Sequence, residues 1–133
     1  MKLLLDTNAY SGLLRGSENT VAYVRRAQRI VMSAVVVGEL MYGFRYGSRY
    51  AHNLQQLNAF LDSPHVDFLP VTLVTAERFG YLANALRSKG TPSPSNDIWI
   101  AAHALEHGAS LISYDSHFAH VDDVLWIHPD SQA

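Results

Sequence analysis

At 133 residues, 48% of them apolar, the chain has the size of one compact domain with its own core, and 1–133 is expected to fold as a single domain. It has no cysteine, which excludes a disulfide framework and a thiolate metal site and fits a cytoplasmic protein. The formal net charge of −2 excludes a uniformly basic nucleic-acid binder, although if four of the 12 acids gather on a divalent cation, eight face ten Lys and Arg and the remaining surface carries +2.

The first predicted element is a buried strand, Lys2–Leu5, whose one basic residue and three leucines fall far short of a signal-peptide core or a membrane span. Asp6-Thr7-Asn8 follows as a turn and helix cap. Five arginines, Arg25, Arg26, Arg29, Arg45 and Arg49, read either as solvated helix faces or as an RNA-facing stripe. A strand is expected at Ile30–Met32, and Ser33 then caps a helix with Val37, Leu40, Met41 and Phe44 on one stripe. Glu39 sits at the margin of that stripe, where a half-buried acid needs a partner. Phe68–Val71 is the next strand, and Thr72 caps a helix that stops at Gly90. The Pro/Ser-rich stretch Thr91–Ser95 is too short to separate domains. Ser95 is expected to cap a third helix, with Ile98, Ala101, Ala102 and Leu105 at i, i+3, i+4 and i+7 and Gly108 as its stop. Strands at Ser110–Ser113 and Leu125–Ile127 complete an alternation that predicts an α/β fold with parallel strands and crossover helices.

In such sheets ligands bind beyond the carboxyl ends of the strands. Asp6 directly follows the first strand, Asp115 lies just past Ser110–Ser113, and Asp97 opens the helix leading into that strand, so all three belong to one rim. Taken singly, each acid has a plainer role: Asp6 as a cap, Asp97 as a complement to the helix dipole, Asp115 as a turn residue. Taken with Glu39 they make a set whose members repel one another and raise each other's pKa unless a cation lies between them. Oxygen-only ligands select magnesium or manganese, ions that serve phosphodiester hydrolysis by activating water and neutralising charge in the transition state.

Four stretches carry a resemblance: Leu4-Leu5-Asp6-Thr7-Asn8, Val37-Gly38-Glu39-Leu40-Met41-Tyr42-Gly43, Pro94-Ser95-Asn96-Asp97-Ile98-Trp99-Ile100-Ala101-Ala102, and Leu111-Ile112-Ser113-Tyr114-Asp115-Ser116-His117-Phe118. In this order they resemble the signature of the PIN-domain family, most of all its VapC-type toxins, and the likeness runs nearly end to end. The resemblance implies a three-layer α/β/α sandwich around a parallel sheet of four to five strands. It implies Mg2+- or Mn2+-dependent endoribonuclease activity on RNA, as the toxin of a toxin–antitoxin pair, and control by a cognate antitoxin. By the family pattern the catalytic metal ligands fall on Asp6, Glu39, Asp97 and Asp115, and Thr7, Asn96 and Ser113 match supporting polar positions. The chain departs from the pattern at His117, where many relatives carry an additional acid; His117 is a candidate contact to substrate phosphate.

Other readings compete. His103-Ala104-Leu105-Glu106-His107 satisfies an inverted zinc-peptidase pattern, but at 100° per residue His103 is expected to point away from Leu105, toward solvent and not into a cleft. Aspartyl-phosphate phosphatases also begin with a strand ending in Asp, yet their general acid would fall on Asn8, which transfers no proton at neutral pH. A response regulator would need paired acids after the first strand. A catalytically silent PIN-like module that binds RNA or protein is the alternative function. Tyr42, Phe44 and Tyr46 read as a groove for an amphipathic antitoxin helix, or as core or a homodimer seam, and a homodimer is expected.

Overall fold

The computed structural model describes residues 1–131. Its sheet has five strands, β1 (Lys2–Leu5), β2 (Arg29–Ser33), β3 (Val66–Leu69), β4 (Ser110–Ile112) and β5 (Trp126–Ile127), in the order β3-β2-β1-β4-β5 and parallel throughout. Helices α1 (Thr7–Leu14), α2 (Glu18–Arg26), α3 (Ala34–Tyr46), α4 (Tyr50–Leu61), α5 (Leu73–Ser88) and α6 (Ser95–His107) connect the strands and cover both faces. The α/β sandwich expected from the sequence is therefore the one found. With helices on both sides, the central strands must be apolar on both faces, and Leu3, Leu4 and Leu5 are all fully buried. Burying each leucine contributes about 2 kcal/mol, so β1 anchors the core.

The strand order fixes where a ligand can go. The chain leaves β1 toward β2 and β3, then returns to the other side of β1 with β4 and β5. The carboxyl ends of β1 and β4 thus flank the point where the winding reverses, the usual ligand crevice of an open parallel sheet.

Local chemistry sets the boundaries. Ser33 caps α3 by accepting from Val35 N–H at 3.1 Å, and Thr72 and Thr75 form a reciprocal capping box at the start of α5. Gly108, with φ of 62°, ends α6 in the left-handed conformation that glycine adopts without penalty. Strand ends shift by a residue elsewhere, and two larger differences from the expectation have a clear cause. β3 lies two residues earlier than Phe68–Val71, because Pro70 has no N–H to continue a ladder; Phe68 is left half exposed. Ser95 does not cap α6. Pro94 occupies the cap position and Ser95 is already helical, so its hydroxyl is not the acceptor for the first turn. The arginines are engaged separately: Arg29 pairs with Asp67 at 2.6 Å, Arg26 lies over Tyr23 and Arg45 over Tyr50. Among the described residues no helix is long and apolar enough to cross a membrane.

Candidate active site

Asp6 closes β1 and opens α1. Its Oδ1 accepts from Ala9 N–H at 2.9 Å, and its Oδ2 accepts from the Ser113 hydroxyl at 2.5 Å. The capping role is real, and it leaves the carboxylate facing the gap between β1 and β4. Burial pushes its pKa above the ordinary aspartate range; Ser113 and Ala9 oppose this, and Asp115 and Asp97 add to it through like charge.

Glu39 comes from the second turn of α3, and both of its oxygens are held. Thr7 Oγ1 donates to Oε1 at 2.6 Å, and Asn96 Nδ2 donates to Oε2 at 3.1 Å. The partner this half-buried acid needed is thus a pair, one from α1 and one from the start of α6. Asp115 follows β4 and caps a short 3₁₀ turn, Ser116–His120, accepting at Oδ1 from His117 N–H at 2.9 Å. The ring Nδ1 of His117 lies 3.1 Å from the same oxygen.

Asp97 differs. It lies in the first turn of α6, half-buried, and among the described residues nothing donates to its carboxylate. Its pKa is raised first by burial, then by the charges of Asp115 and Glu39, with only His117 acting in the other direction. One ligand atom each from Asp97, Asp115 and His117 lie within 4.8 Å of one another. A cluster of hard oxygen donors with one imidazole at its edge, in which a carboxylate is destabilised by its neighbours, has the donor chemistry of a divalent-cation site.

Of the four acids singled out from the sequence, Asp97 and Asp115 cluster with His117, while Asp6 and Glu39 lie close enough for their charges to act on that pair but outside the cluster itself; Thr7 and Asn96 hold Glu39, and Ser113 holds Asp6. Two residues went unread. Tyr114, between Ser113 and Asp115, plants its hydroxyl on Thr20 at 2.7 Å and Ser17 at 3.0 Å, and so pins the loop that carries Asp115. A Cβ at position 12 would lie 3.0 Å from the Tyr114 hydroxyl, so Gly12 gives the ring its room, and a glycine inside a helical stretch was the available signal. Trp126 Nε1 donates to the Ser113 carbonyl at 3.0 Å and steadies the same segment from β5.

His103 overturns an expectation. It is fully buried rather than solvent-facing, because α6 is covered on nearly all sides: Ile100, Ala101, Ala102 and Ala104 are buried too. A single 100° projection from Leu105 misjudged a helix without a wet face at that level. The zinc reading still fails, for a different reason: both ring nitrogens are already hydrogen-bonded, to Ser33 Oγ and the Pro70 carbonyl.

Residues 3–124 match the profile of the PIN domain. The chain belongs to the PIN-domain family. Within it, the relatives are VapC-type proteins. Ribonuclease VapC1 of Haemophilus influenzae is 28% identical over 131 residues, covering 95% of this chain and 96% of the relative. Ribonuclease VapC2 of the same species is 30% identical over 116 residues, 85% of this chain and 86% of that one. Among solved structures, VapBC-1 from nontypeable Haemophilus influenzae superposes with a TM-score of 0.86 at 27% identity, over 98% of this chain and all of that one. The VapBC complex of Salmonella typhimurium, at 23% identity and a TM-score of 0.84 over 96% of this chain and 97% of the other, shares the fold. The fold and the PIN-domain resemblance expected from the motifs stand.

Proposed function

We propose that this PIN domain, acting as a single unit over 1–133, is a Mg2+- or Mn2+-dependent endoribonuclease and the toxin of a toxin–antitoxin pair. The observation that carries the reading is the imbalance at Asp97: a half-buried carboxylate with no donor among the described residues, pressed by Asp115 and Glu39. An acid kept in that state is costly unless a cation is its partner. A bound divalent cation would acidify water and neutralise charge on the phosphoryl oxygens.

The chain's own residues divide the remaining work. Asp6, Glu39, Asp97 and Asp115 supply the anionic oxygens. Ser113 orients Asp6, and Thr7 with Asn96 aims Glu39. His117 is assigned to substrate phosphate: with Nδ1 turned to Asp115, Nε2 on its exposed ring is the end left for RNA. His117→Ala should then raise KM for RNA about tenfold, a loss typical of one charge-assisted contact, with Mn2+ affinity unchanged. Weaker Mn2+ binding with KM unchanged would make His117 a metal ligand instead.

Two protein partners fit the exposed surface. Tyr42 and Tyr46, 75% and 87% exposed, project from α3 beyond Glu39, while Phe44 turns toward the core. An amphipathic antitoxin helix would cover the tyrosines, and a basic side chain from it would pair with the acids. Solved neighbours are VapBC toxin–antitoxin complexes, which supports an antitoxin partner. A second copy of the chain would cover Phe68, Val71, Leu73 and Val74 at the edge formed by β3 and α5.

The deciding experiment incubates the purified chain with RNA in Mg2+, in Mn2+ and in excess EDTA, beside Asp6→Ala. Cleavage that needs the ion and Asp6 supports the reading. Full cleavage in EDTA contradicts the mechanism, and ion binding without cleavage leaves a silent binding module. Expression with and without the neighbouring open reading frame tests the toxin assignment: growth arrest relieved by the neighbour's product is expected, and unimpaired growth with soluble, folded protein contradicts it.

A further inference from the structure

The His103–Glu106–His107 segment carries no zinc chemistry, yet His103 is a fully buried titratable group that the proposed reaction does not use. Its surroundings leave each atom a single role. The Pro70 carbonyl, 3.1 Å from Nε2, can only accept, so Nε2 bears the proton. Nδ1 of the neutral ring is then a lone pair, and the Ser33 hydroxyl, 2.7 Å away, must donate to it. The Ser33 oxygen is in turn the acceptor for Val35 N–H, the cap of α3. Burial lowers the pKa of His103, in keeping with a neutral ring.

This chain of bonds joins the two helices that carry opposing acids. α6 bears Asp97 in its first turn and His103 six residues on; α3 begins at the Ser33 cap and bears Glu39. The charges of Glu39 and Asp97 repel. Against that repulsion the rim offers one exposed tie, from Asn96 to Glu39, and the interior offers His103 to Ser33. α6 is braced from the other side as well, where Glu106 accepts from Thr75 Oγ1 at 2.6 Å, inside the capping box of α5.

We propose that His103 is a positioning residue of the acid site: its neutral ring, protonated on Nε2, fixes α6 to the cap of α3 and so sets the placement of Asp97 relative to Glu39. The assignment rests on the metal-nuclease reading of those acids. The zinc-peptidase pattern in the sequence is thus an internal strut.

Two isosteres separate this from a general packing role. His103→Asn keeps an acceptor at the Nδ1 position and loses the bond to Pro70; His103→Gln keeps a donor at the Nε2 position and loses the acceptor for Ser33. Mn2+ affinity, read by calorimetry or by the EPR signal of free Mn2+ well below each melting temperature, should fall about tenfold in His103→Gln, the range seen when supporting groups of a metal site are removed, and much less in His103→Asn. Ser33→Ala, which breaks the tie from its other end, should match His103→Gln and stands in if that variant does not fold. Leu82→Ala, a destabilised core control on α5, should keep the parent's affinity. Equal Mn2+ affinity in the parent, His103→Gln and Ser33→Ala overturns the assignment and leaves the nuclease reading intact. Absence of Mn2+ binding in the parent overturns both.

Discussion

Two polar clusters lie within a few residues of one another along α6, and their hydrogen bonding is opposite in kind. Around His103 every donor has an acceptor and every acceptor a donor, in a sealed chain from Val35 N–H through Ser33 and the imidazole to the Pro70 carbonyl. At the rim, oxygens outnumber donors: Asp6, Glu39 and Asp115 are each partly satisfied, and among the described residues nothing donates to Asp97. A closed network rigidifies a fold, whereas an acceptor excess held open by that fold has the donor chemistry a cation would use. The difference separates scaffold from site more sharply than residue type does, since both clusters contain His, Ser and an acid nearby.

The largest effect is expected at Asp97. Asp97→Asn should reduce RNA cleavage to the level of the metal-free parent, because the amide keeps the shape and loses the anionic ligand, while the metal-free variant melts higher than the metal-free parent. Cleavage at the parental rate would remove Asp97 from the site. The closed cluster should respond through stability. Ser33→Ala takes away both a helix cap and the donor to a buried imidazole, and should cost about 2–3 kcal/mol in urea denaturation. A cost below about 0.5 kcal/mol, the range of ordinary surface substitutions, would mean the chain of bonds is not cooperative. Smallest is Ser113→Ala, which removes one of two donors to Asp6: Mn2+ affinity should drop about tenfold with little change in the metal-free melting temperature. Unchanged affinity would show that the Ala9 N–H alone orients Asp6.

How legible these clusters were follows from the same physics. Three acids of the rim could be read because Asp6, Asp97 and Asp115 fall at strand ends and a helix start, positions that a βα alternation fixes without side-chain detail; Asp6 directly follows β1 and Asp115 lies just past β4. Thr7, Asn96 and Ser113 came from ordered motifs; each lies beside one acid in sequence yet bonds a distant one, Thr7 and Asn96 reaching Glu39 and Ser113 reaching Asp6, contacts that only the fold reveals. The interior cluster was misread because burial of His103 depends on three elements distant in sequence, Ser33, Pro70 and the helix α5, that no projection of α6 alone includes. β3 slipped because apolar Phe68 and Val71 resemble strand interior, while the lack of an N–H on Pro70 decides where pairing stops. Tyr114 depends on α1 and α2 closing over a loop about a hundred residues away, a pairing that spacing cannot reveal.

Folding brings the acids together at an electrostatic cost that, on the proposed function, a divalent cation removes, and the pH dependence of metal-free stability reads that cost. Asp6 and Asp97 hold their protons more tightly folded than unfolded. Their stabilising contribution is therefore complete below the unfolded aspartate range and is lost as pH rises through their raised folded values. His103, with its lowered pKa, acts oppositely: its contribution is present above the ordinary histidine range and lost on acidification. Taking the difference between parent and Asp97→Asn cancels the His103 term and isolates the acids. Melting temperatures of both proteins across the pH range, without metal and with saturating Mn2+, provide the measurement. Without metal the variant's advantage should be absent in acid and grow as pH rises to neutral, and Mn2+ should stabilise the parent far more than the variant. A variant no more stable than the parent at neutral pH without metal, together with equal stabilisation of both by Mn2+, would contradict both expectations.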